Sequence, residues 1–399
     1  MTSQNQWLIS PAVAPLLDDV QRQLANNDNI LRIVKQLRKQ VAAPQSALII
    51  ELAQLRIRAG AKFSKAGSMF FTTKGYEQST SENIARYKAS CFPQNERVMD
   101  VCCGIGGDLI GFAEGRQVVG VDIDEINCQY ATKNVAVYDG KDAKVVQADA
   151  LNVDWSSFKA IHIDPDRRAA SRTINPAGFK PNLEEILDRL RNRFGAIKIA
   201  PASKLPPELR RHAHREWIGE RRECKQQIVW SNNPARKPGS RTATIVHRDG
   251  TISQVSNDER DEEAPRICCE SIGSFLYEPH AAVLSARLTD SLAVHLNAAR
   301  IEPGIAYLTN STLVRHPMVS AFEILSVESA EVRRLSAVLR SHQVGIVEWK
   351  KRGVESQAVD ALRRIRLKGS EQVTVIVTPY HGQIAAFVCR RLPITDTSV

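Results

Sequence analysis

A chain of 399 residues is too long for one ordinary hydrophobic core, so we expect two compact domains and a helical extension, with ample room for an enzyme site. The composition, 43% hydrophobic and 25% charged, includes no apolar run near the roughly 20 residues that span a bilayer, which excludes a membrane protein. The net charge of +10 favours a polyanionic partner, of which RNA is the commonest in the cytoplasm, and the alternative is a basic surface that only aids solubility.

Residues 1–75 are predicted to form a helical N-terminal extension. Apolar residues recur three and four positions apart in VQRQLANN, ILRIVKQLRKQ and SALIIELAQLRIRA, which is the spacing of an amphipathic helix. A further helix is expected in GYEQSTSENIARYKASCF, before a loop at Pro93. The opening MTSQNQWLISPAVAP lacks a charged region followed by a continuous apolar core, so we expect no secretory signal and a cytoplasmic protein.

Residues 76–255 are predicted to form a doubly wound α/β domain. After Pro93, short apolar strands alternate with amphipathic helices, which is the order expected of a mostly parallel sheet. Seven strands are expected, in RVMDVC, QVVGVDID, AKVVQAD, KAIHID, GAIKIAP, KQQIVW and RTATIVHR. Helices between them are expected in DLIGFAEG, EINCQYATKNVAVY and NLEEILDRLRNRF.

The stretch SQVSNDERDEEAPR, from Ser253 to Arg266, is acidic and polar and has no apolar periodicity, so we interpret it as a linker. Residues 267–399 are then expected to form a small C-terminal α+β module. This module is expected to contain helical segments around ARLTDSLAVHLNAA, followed by the segment VGIVEWKKRG. A helix in SQAVDALRRIRL and the strands QVTVIVTP and IAAFVCRRL are expected after it.

The eight cysteines include no C-x-x-C pair, so we expect neither a structural zinc site nor another metal centre. Adjacent cysteines such as Cys102 and Cys103 bridge poorly, and the cytoplasm keeps thiols reduced, so no disulfide framework is expected. We interpret the cysteines as small buried side chains.

A glycine-rich loop follows the first predicted strand, and it reads G-I-G-G-D-L from Gly104 to Leu109. Such a loop lets backbone N–H groups and a helix N-terminus approach a ligand. The third glycine of the dinucleotide pattern G-x-G-x-x-G is missing, which disfavours a nicotinamide or flavin site. The pattern Asp100-x-Cys102-x-Gly104-x-Gly106 instead resembles motif I of class I methyltransferases, which use S-adenosylmethionine (SAM). This resemblance implies that Asp100 lies beneath the methionine portion of SAM.

Two further acids follow the next two strands. Asp122, with Ile123 beside it, ends the second strand, where a carboxylate can accept hydrogen bonds from a ribose diol, and Asp124 is a competing candidate. Asp149, followed by Ala150, ends the third strand, and the resemblance implies that this acid contacts the adenine amino group. A single aspartate at a strand end is also explained as a helix cap, but the combined spacing favours a SAM site.

The fourth strand is followed by DPDRR, which comprises Asp164, Pro165, Asp166, Arg167 and Arg168. The carboxyl edge of an α/β sheet is its active edge. The motif resembles the [DNS]-P-P-[FYW] motif of methyltransferases that act on exocyclic amines, although aspartate replaces the second proline and arginine the stacking aromatic. In this setting the aspartate at 166 acts as a general base or pairs with an arginine, and the arginine at 167 stacks on a base or clamps an anion. A salt-bridged structural turn is the alternative.

Two longer resemblances suggest a substrate class. The stretch from Phe70 to Asp164 resembles the RNA cap guanine-N2 (trimethylguanosine synthase-like) methyltransferases. The chain from Tyr277 onward resembles the bacterial THUMP-like domain, and true THUMP domains bind RNA. The turn at Lys350 to Gly353 and a basic helix are candidates for phosphate contacts, although exposed charge alone is the alternative. The basic side chains of that helix are Arg363, Arg364, Arg366 and Lys368.

Together these patterns predict a SAM-dependent methyltransferase that modifies a nitrogen of an RNA base. Direct transfer from a sulfonium needs mainly positioning, so no metal is expected. The alternatives are a methyltransferase for a small molecule or a protein, and a SAM- or RNA-binding protein without catalysis.

Overall fold

The computed structural model of the protein describes residues 2–167, 179–180, 182–257 and 266–393. Its helices are α1 (Thr2–Leu8), α2 (Ala14–Ala25), α3 (Ile30–Leu37), α4 (Ala43–Ala59), α5 (Thr73–Gln78), α6 (Glu82–Ser90), α7 (Leu109–Ala113), α8 (Glu125–Val137), α9 (Leu183–Leu190), α10 (Pro207–His212), α11 (Ala281–Ala286), α12 (Thr289–His295), α13 (Val332–Ser341) and α14 (Ser356–Asp360). Short 3-10 turns occur at Ala66–Ser68 and Leu362–Arg364.

The described part of the chain contains eighteen strands, again given in chain order. They are β1 (Val98–Val101), β2 (Val118–Asp122), β3 (Ala143–Gln147), β4 (Ala160–Ile163), β5 (Asp166–Arg167), β6 (Phe179–Lys180), β7 (Phe194–Ile199), β8 (His214–Glu220), β9 (Glu223–Ser231), β10 (Arg241–Val246), β11 (Ile252–Asn257), β12 (Phe275–Pro279), β13 (Ala299–Arg300), β14 (Leu308–Asn310), β15 (Val319–Ser329), β16 (Val344–Lys351), β17 (Glu371–Tyr380) and β18 (Gln383–Arg391).

The helical N-terminal extension is confirmed, and local sequence explains where its helices begin. The Asn29 side chain caps α3 by accepting hydrogen bonds from the backbone N–H groups of Leu31 and Arg32. Proline stands in the first turn of both α2 and α4, where its missing N–H is not needed. The buried side chains of α2 and α4 pack against each other, so this extension has an apolar core of its own.

The doubly wound α/β class is also confirmed, with a larger sheet than the seven strands expected. The sheet has the order β11-β10-β8-β9-β7-β4-β1-β2-β3. Strands β7, β4, β1, β2 and β3 run parallel, and β9 runs antiparallel to β7. Apolar residues on these strands and on α9 form a buried core.

Within this sheet, the two strands that the sequence reasoning missed are β8 and β11. Strand β8, HREWIGE, is buried from His214 to Gly219 although it carries arginine and glutamate, and these charges hide its strand character. The predicted linker from Ser253 to Arg266 is wrong at its beginning, because residues 253–257 belong to β11. Strand β11 lies at the edge of the sheet, where polar side chains can face outward while Val255 is buried. Residues 258–265 lie outside the described part of the chain.

The chain divides into two compact units, and the division differs from the predicted boundaries. The first unit comprises Met1–Arg215, Gln226–Pro238 and Val246–Thr251, and the second comprises the remainder, including Ile252–Val399. The predicted domain boundaries, at residue 75 and between residues 255 and 267, therefore stay a prediction. The second unit contains a sheet with the order β13-β14-β12-β15-β18-β17-β16. As predicted, β17 and β18 form a hairpin, and His381 and Gly382 make its turn at positive φ.

Candidate functional site

The glycine loop between β1 and α7 has an unusual backbone. Cys102, Gly104 and Gly106 have φ angles of 59°, 54° and 85°. A Cβ added at Gly106 would lie 3.2 Å from the Cα of Ala131 on α8, whereas one added at Gly104 would meet no atom within 4 Å. The loop therefore packs closely against α8 on one side and leaves open space beside Gly104 on the other.

Asp122, at the end of β2, is tied to this loop. Its Oδ2 accepts a hydrogen bond from the backbone N–H of Gly104 at 2.8 Å. Its Oδ1 accepts from the backbone N–H of Asp124 and from Nδ2 of Asn127. Three acceptor positions of this buried carboxylate are thus used within the protein, and one on Oδ2 is left for a hydroxyl.

Asp124, the competing candidate, has a different task. Its Oδ1 accepts from the backbone N–H of Asn127 at 2.9 Å, so it caps the N-terminus of α8. This local role accounts for the residue without a ligand, and it favours Asp122 as the ribose acid.

Three further residues predicted to bind the cofactor, Ile123, Asp149 and Ala150, differ in exposure. Ile123 is 71% exposed, and Gln147 at the end of β3 donates from Nε2 to its carbonyl oxygen. Asp149 is exposed, and its Oδ1 accepts from the backbone N–H of Leu151. Ala150 is buried, and its carbonyl accepts from Nε1 of Trp155. Ile123 and Asp149 are therefore accessible to a ligand, whereas the Ala150 side chain belongs to the core.

Asp100 lies in the middle of the sheet and is fully buried. It faces His162 across the β1–β4 pairing, and its Oδ1 lies 2.6 Å from Nδ1 of that imidazole. Nε2 of His162 lies 3.3 Å from Nζ of Lys88, which can only donate, so the imidazole proton is assigned to Nδ1 and points to Asp100. Oδ2 of Asp100 has no hydrogen-bond partner among the described residues.

Asp108, just after the glycines, is a second buried carboxylate. Its Oδ1 lies 2.5 Å from Nζ of Lys88 on α6, and its Oδ2 accepts from the hydroxyl of Thr80 at 2.7 Å. Nζ of Lys198 lies 3.9 Å from the same Oδ2. Burial by itself raises the pKa of Asp108, but Lys88, His162 and Lys198 together hold it well below the usual range.

Asp164 stands at the carboxyl end of β4, where its backbone N–H bonds to the carbonyl of Val101 at the end of β1. Its side chain is 34% exposed, and its Oδ2 lies 2.6 Å from Nζ of Lys198 on β7. Pro165 is buried. The next two residues, Asp166 and Arg167, form β5 and pair with β6 through Asp166↔Lys180 and Arg167↔Phe179.

The arginine at 168 lies outside the described residues, so its predicted role stays a prediction. Asp164 forms its ion pair with Lys198, a residue outside the motif, and the alternative of a salt-bridged turn within DPDRR stays a prediction. The acid that begins the motif is thus held by the sheet itself.

Sequence reasoning missed four members of this cluster. They are Lys88, Asp108, His162 and Lys198. A signal was present for two of them, because His162 interrupts the apolar strand AIHI and Lys198 the strand FGAIKI. An ionisable residue in a buried strand needs a partner, and both side chains find one at this site.

The described residues fit SAM. A buried carboxylate oxygen without a partner, as at Oδ2 of Asp100, is an acceptor for the ammonium of the methionine portion. The remaining acceptor position on Asp122 suits a ribose hydroxyl, and the open space beside Gly104 allows a ligand to approach the loop. Among the described residues, no group of three or more His, Cys, Asp or Glu side chains is arranged to hold a metal ion.

The comparison with known proteins agrees with this site. Residues 95–171 match the family model described as RNA cap guanine-N2 methyltransferase, and residues 319–391 match the model described as THUMP domain-like. The stretch 95–171 includes Asp100, Asp122 and Asp164.

Relatives extend the similarity to most of the chain. Proteins of two Mycobacterium tuberculosis strains, CDC 1551 and H37Rv, both named uncharacterized S-adenosylmethionine-dependent methyltransferases, are 29% identical over 356 residues. The aligned region covers 86% of this chain and 96% of theirs. A crystal structure from Porphyromonas gingivalis W83, titled as a methyltransferase, is 19% identical with a TM-score of 0.74 and shares the fold over 89% of this chain and 92% of that one. These findings identify the chain as a SAM-dependent methyltransferase whose residues 319–391 are similar to the THUMP domain-like family.

Proposed function

We propose that this enzyme transfers the methyl group of SAM to a nitrogen of an RNA base. The observation that carries the proposal is the position of Asp164, a partly exposed carboxylate at the carboxyl end of β4, beside the glycine loop. A carboxylate followed by proline at this edge is suited to accept a hydrogen bond from an exocyclic amine.

In this proposal SAM supplies an electrophilic methyl group on its sulfonium. Asp164 accepts a hydrogen bond from the amine, orients the nitrogen lone pair, and takes up the proton that the amine loses. The carbonyl oxygen of Pro165 is the second acceptor. Asp100 and Asp122 hold the cofactor end of the site, so positioning supplies most of the rate enhancement.

RNA is favoured as the substrate by charge and by family. The chain carries a net charge of +10, and the family that matches residues 95–171 is described as RNA cap guanine-N2 methyltransferase. In the C-terminal unit, Arg364, Arg366 and Lys368 are exposed on the segment after α14. The turn at Lys350 to Gly353 is a weaker candidate for phosphate contact, because Lys350 and Arg352 form ion pairs with Glu278.

We place this activity in the cytoplasm. No disulfide joins any of the eight cysteines, all of which lie within the described residues, as is usual in a reducing compartment. No described helix is long and apolar enough to cross a bilayer.

The test is transfer of label from tritiated SAM to total RNA from cells that lack the gene, followed by nucleoside analysis. The expected product is a base methylated on nitrogen. An Asp164→Asn variant should lose at least about 100-fold in rate, the lower range for a general base, and keep its affinity for SAM. Lys159→Met is the matched control, because Lys159 is 80% exposed and lies before β4 at the opposite edge.

Other outcomes contradict the proposal in different ways. Label that resists RNase and stays with protein or with small molecules favours the alternative methyl acceptors. Label on a ribose oxygen excludes an amine acceptor. Full activity of Asp164→Asn shows that the motif is not catalytic.

A further inference from the structure

Lys198 is an unusual residue for its place in the fold. It lies on β7, the strand next to β4, and is only 13% exposed. The pair Ile163↔Ile197 is the last in the β4–β7 register, and Asp164 and Lys198 are the residues that follow it on each strand. The register of two parallel strands therefore delivers this ion pair to the active edge of the sheet.

The ammonium of Lys198 is held from three directions. It lies 2.6 Å from Oδ2 of Asp164 and 3.9 Å from Oδ2 of Asp108. It also donates to the backbone carbonyl of Gln78 at the C-terminal end of α5, 3.3 Å away. A flexible side chain with this many acceptors has one preferred position.

Asp108 is itself fixed, which makes it an anchor for Lys198. It is bound to Lys88, whose side chain is fully buried, and to the hydroxyl of Thr80. Its own side chain is only 6% exposed, whereas that of Asp164 is 34% exposed. Lys198 thus lies between the buried carboxylate of Asp108, after the glycine loop, and the more exposed carboxylate of Asp164.

We propose that Lys198 is a positioning residue that holds Asp164 turned so that its second oxygen faces the methyl acceptor. This inference rests on the proposed function, because it assigns Lys198 a task only if Asp164 receives the amine. Lys198 engages Oδ2 and leaves Oδ1 for the substrate.

The electrostatics of the cluster support this task. The charged groups around Lys198 are Asp164 after β4, Asp108 before α7, Asp100 on β1 and Lys88 on α6. Although burial lowers the pKa of Lys198, Asp164 and Asp108 raise it above its ordinary value, so the ammonium stays charged at neutral pH. Without it, the side chains of Asp164 and Asp108 would have no lysine between them, and Asp164 would lose the contact that sets its orientation.

The experiment compares Lys198→Met, Lys198→Gln and Lys198→Arg with wild type, with Lys159→Met as control. Methyl transfer from tritiated SAM to total RNA from cells lacking the gene is measured as kcat and KM, and SAM affinity is measured by calorimetry. For Lys198→Met and Lys198→Gln we expect a rate at saturating RNA at least about 10-fold lower than in wild type, with KM for RNA unchanged, because Asp164 loses the contact that orients it. Lys198→Arg should recover most of this rate, and SAM affinity should stay within about twofold.

A double variant separates positioning from a purely structural role. If Lys198 acts through Asp164, then Lys198→Met in an Asp164→Asn background should change the residual rate by less than about threefold, because interacting residues are not additive. Equal losses in both backgrounds would overturn the inference. If Lys198→Met does not fold, Lys198→Gln, which keeps a hydrogen-bond donor, carries the same expectation for the rate.

The failures are distinguishable. A wild-type rate at saturating RNA in Lys198→Gln together with an inactive Asp164→Asn overturns the role of Lys198 and leaves the proposed function standing. A fully active Asp164→Asn overturns the proposed function, and the role of Lys198 with it.

Discussion

Nζ of Lys88 lies 2.5 Å from Oδ1 of Asp108, and these side chains are 0% and 6% exposed. Removing one member of such a pair leaves an uncompensated buried charge. We expect Lys88→Met to lower the free energy of unfolding by about 3 to 5 kcal/mol, measured by urea denaturation. Lys88→Met combined with Asp108→Asn should recover part of this loss, and a loss below about 1 kcal/mol in the single variant would mean that the pair is not a buried charge pair in solution.

A hydrogen-bond network around Glu82 makes the stability of the protein depend on pH. Glu82 accepts hydrogen bonds from the backbone and hydroxyl of Ser64 and from the hydroxyl of Tyr138, and it pairs with Arg86. Burial by itself raises the pKa of Glu82, but these contacts together outweigh burial. The pKa of Glu82 therefore lies below its ordinary value of 4.5. Its contribution is therefore present above pH 4.5 and is lost as the pH falls through the lower folded-state pKa.

Glu82→Gln should thus destabilise the protein by about 2 kcal/mol at pH 7, and the difference from wild type should shrink in acid. Thermal unfolding across pH measures this effect. Glu114→Gln is the control, because Glu114 also pairs with Arg86 but is 41% exposed, and it should cost less than about 1 kcal/mol. A pH-independent difference for Glu82→Gln would contradict the assignment.

Asp122 and Asp124 lie two residues apart, but we expect their replacement by alanine to affect SAM binding differently. Asp122→Ala should weaken SAM binding by about 1.5 to 3 kcal/mol, since it removes a charged acceptor and the bond that holds Gly104. Asp124→Ala removes only the cap of α8, so it should cost about 1 kcal/mol of stability and leave SAM affinity unchanged. Calorimetry and thermal unfolding of both variants check this, and unchanged SAM affinity in Asp122→Ala would remove the ribose assignment.

Gly106 and Gly115 both have positive φ, 85° and 76°, but only Gly106 is crowded. An alanine at either position bears a backbone cost of about 1 to 2 kcal/mol. At Gly106 the new methyl also meets Ala131 at 3.2 Å, while at Gly115 it meets nothing within 4 Å. Gly106→Ala should therefore be less stable than Gly115→Ala and bind SAM more weakly, as measured by denaturation and calorimetry. Equal stability and equal SAM affinity in the two variants would show that α8 can shift to accommodate the added methyl group.

The C-terminal basic segment can be tested by salt. Replacing Arg364, Arg366 and Lys368 together by glutamine should weaken RNA binding and reduce the slope of log affinity against log salt by roughly 0.7 to 0.9 for each phosphate that the variant no longer neutralises. Filter binding over a salt series measures the slope. Arg390→Gln is the control, because Arg390 already pairs with Glu323, and an unchanged slope in the triple variant would place the RNA-binding surface elsewhere.

Much of the fold and of the cofactor site follows from the sequence, because the signals are local. The glycines at 104 and 106 and the acids at 100, 122 and 164 stand at fixed positions relative to a strand that can be identified by its own apolar residues. The backbone places such residues at one edge of a parallel sheet whatever the rest of the chain does. The polar strands β8 and β11 were missed because their burial depends on neighbours, not on their own composition.

The tertiary structure alone decided which charges meet. His162 and Asp100 are 62 residues apart in the chain, and Lys198 and Asp164 are 34 apart. Their contact depends on strand register and on the depth of burial, and no local pattern encodes either one. The glycine loop and its acids therefore identify the cofactor, whereas the cluster beneath them, in which Lys198 pairs with Asp164, exists only once the strands are paired.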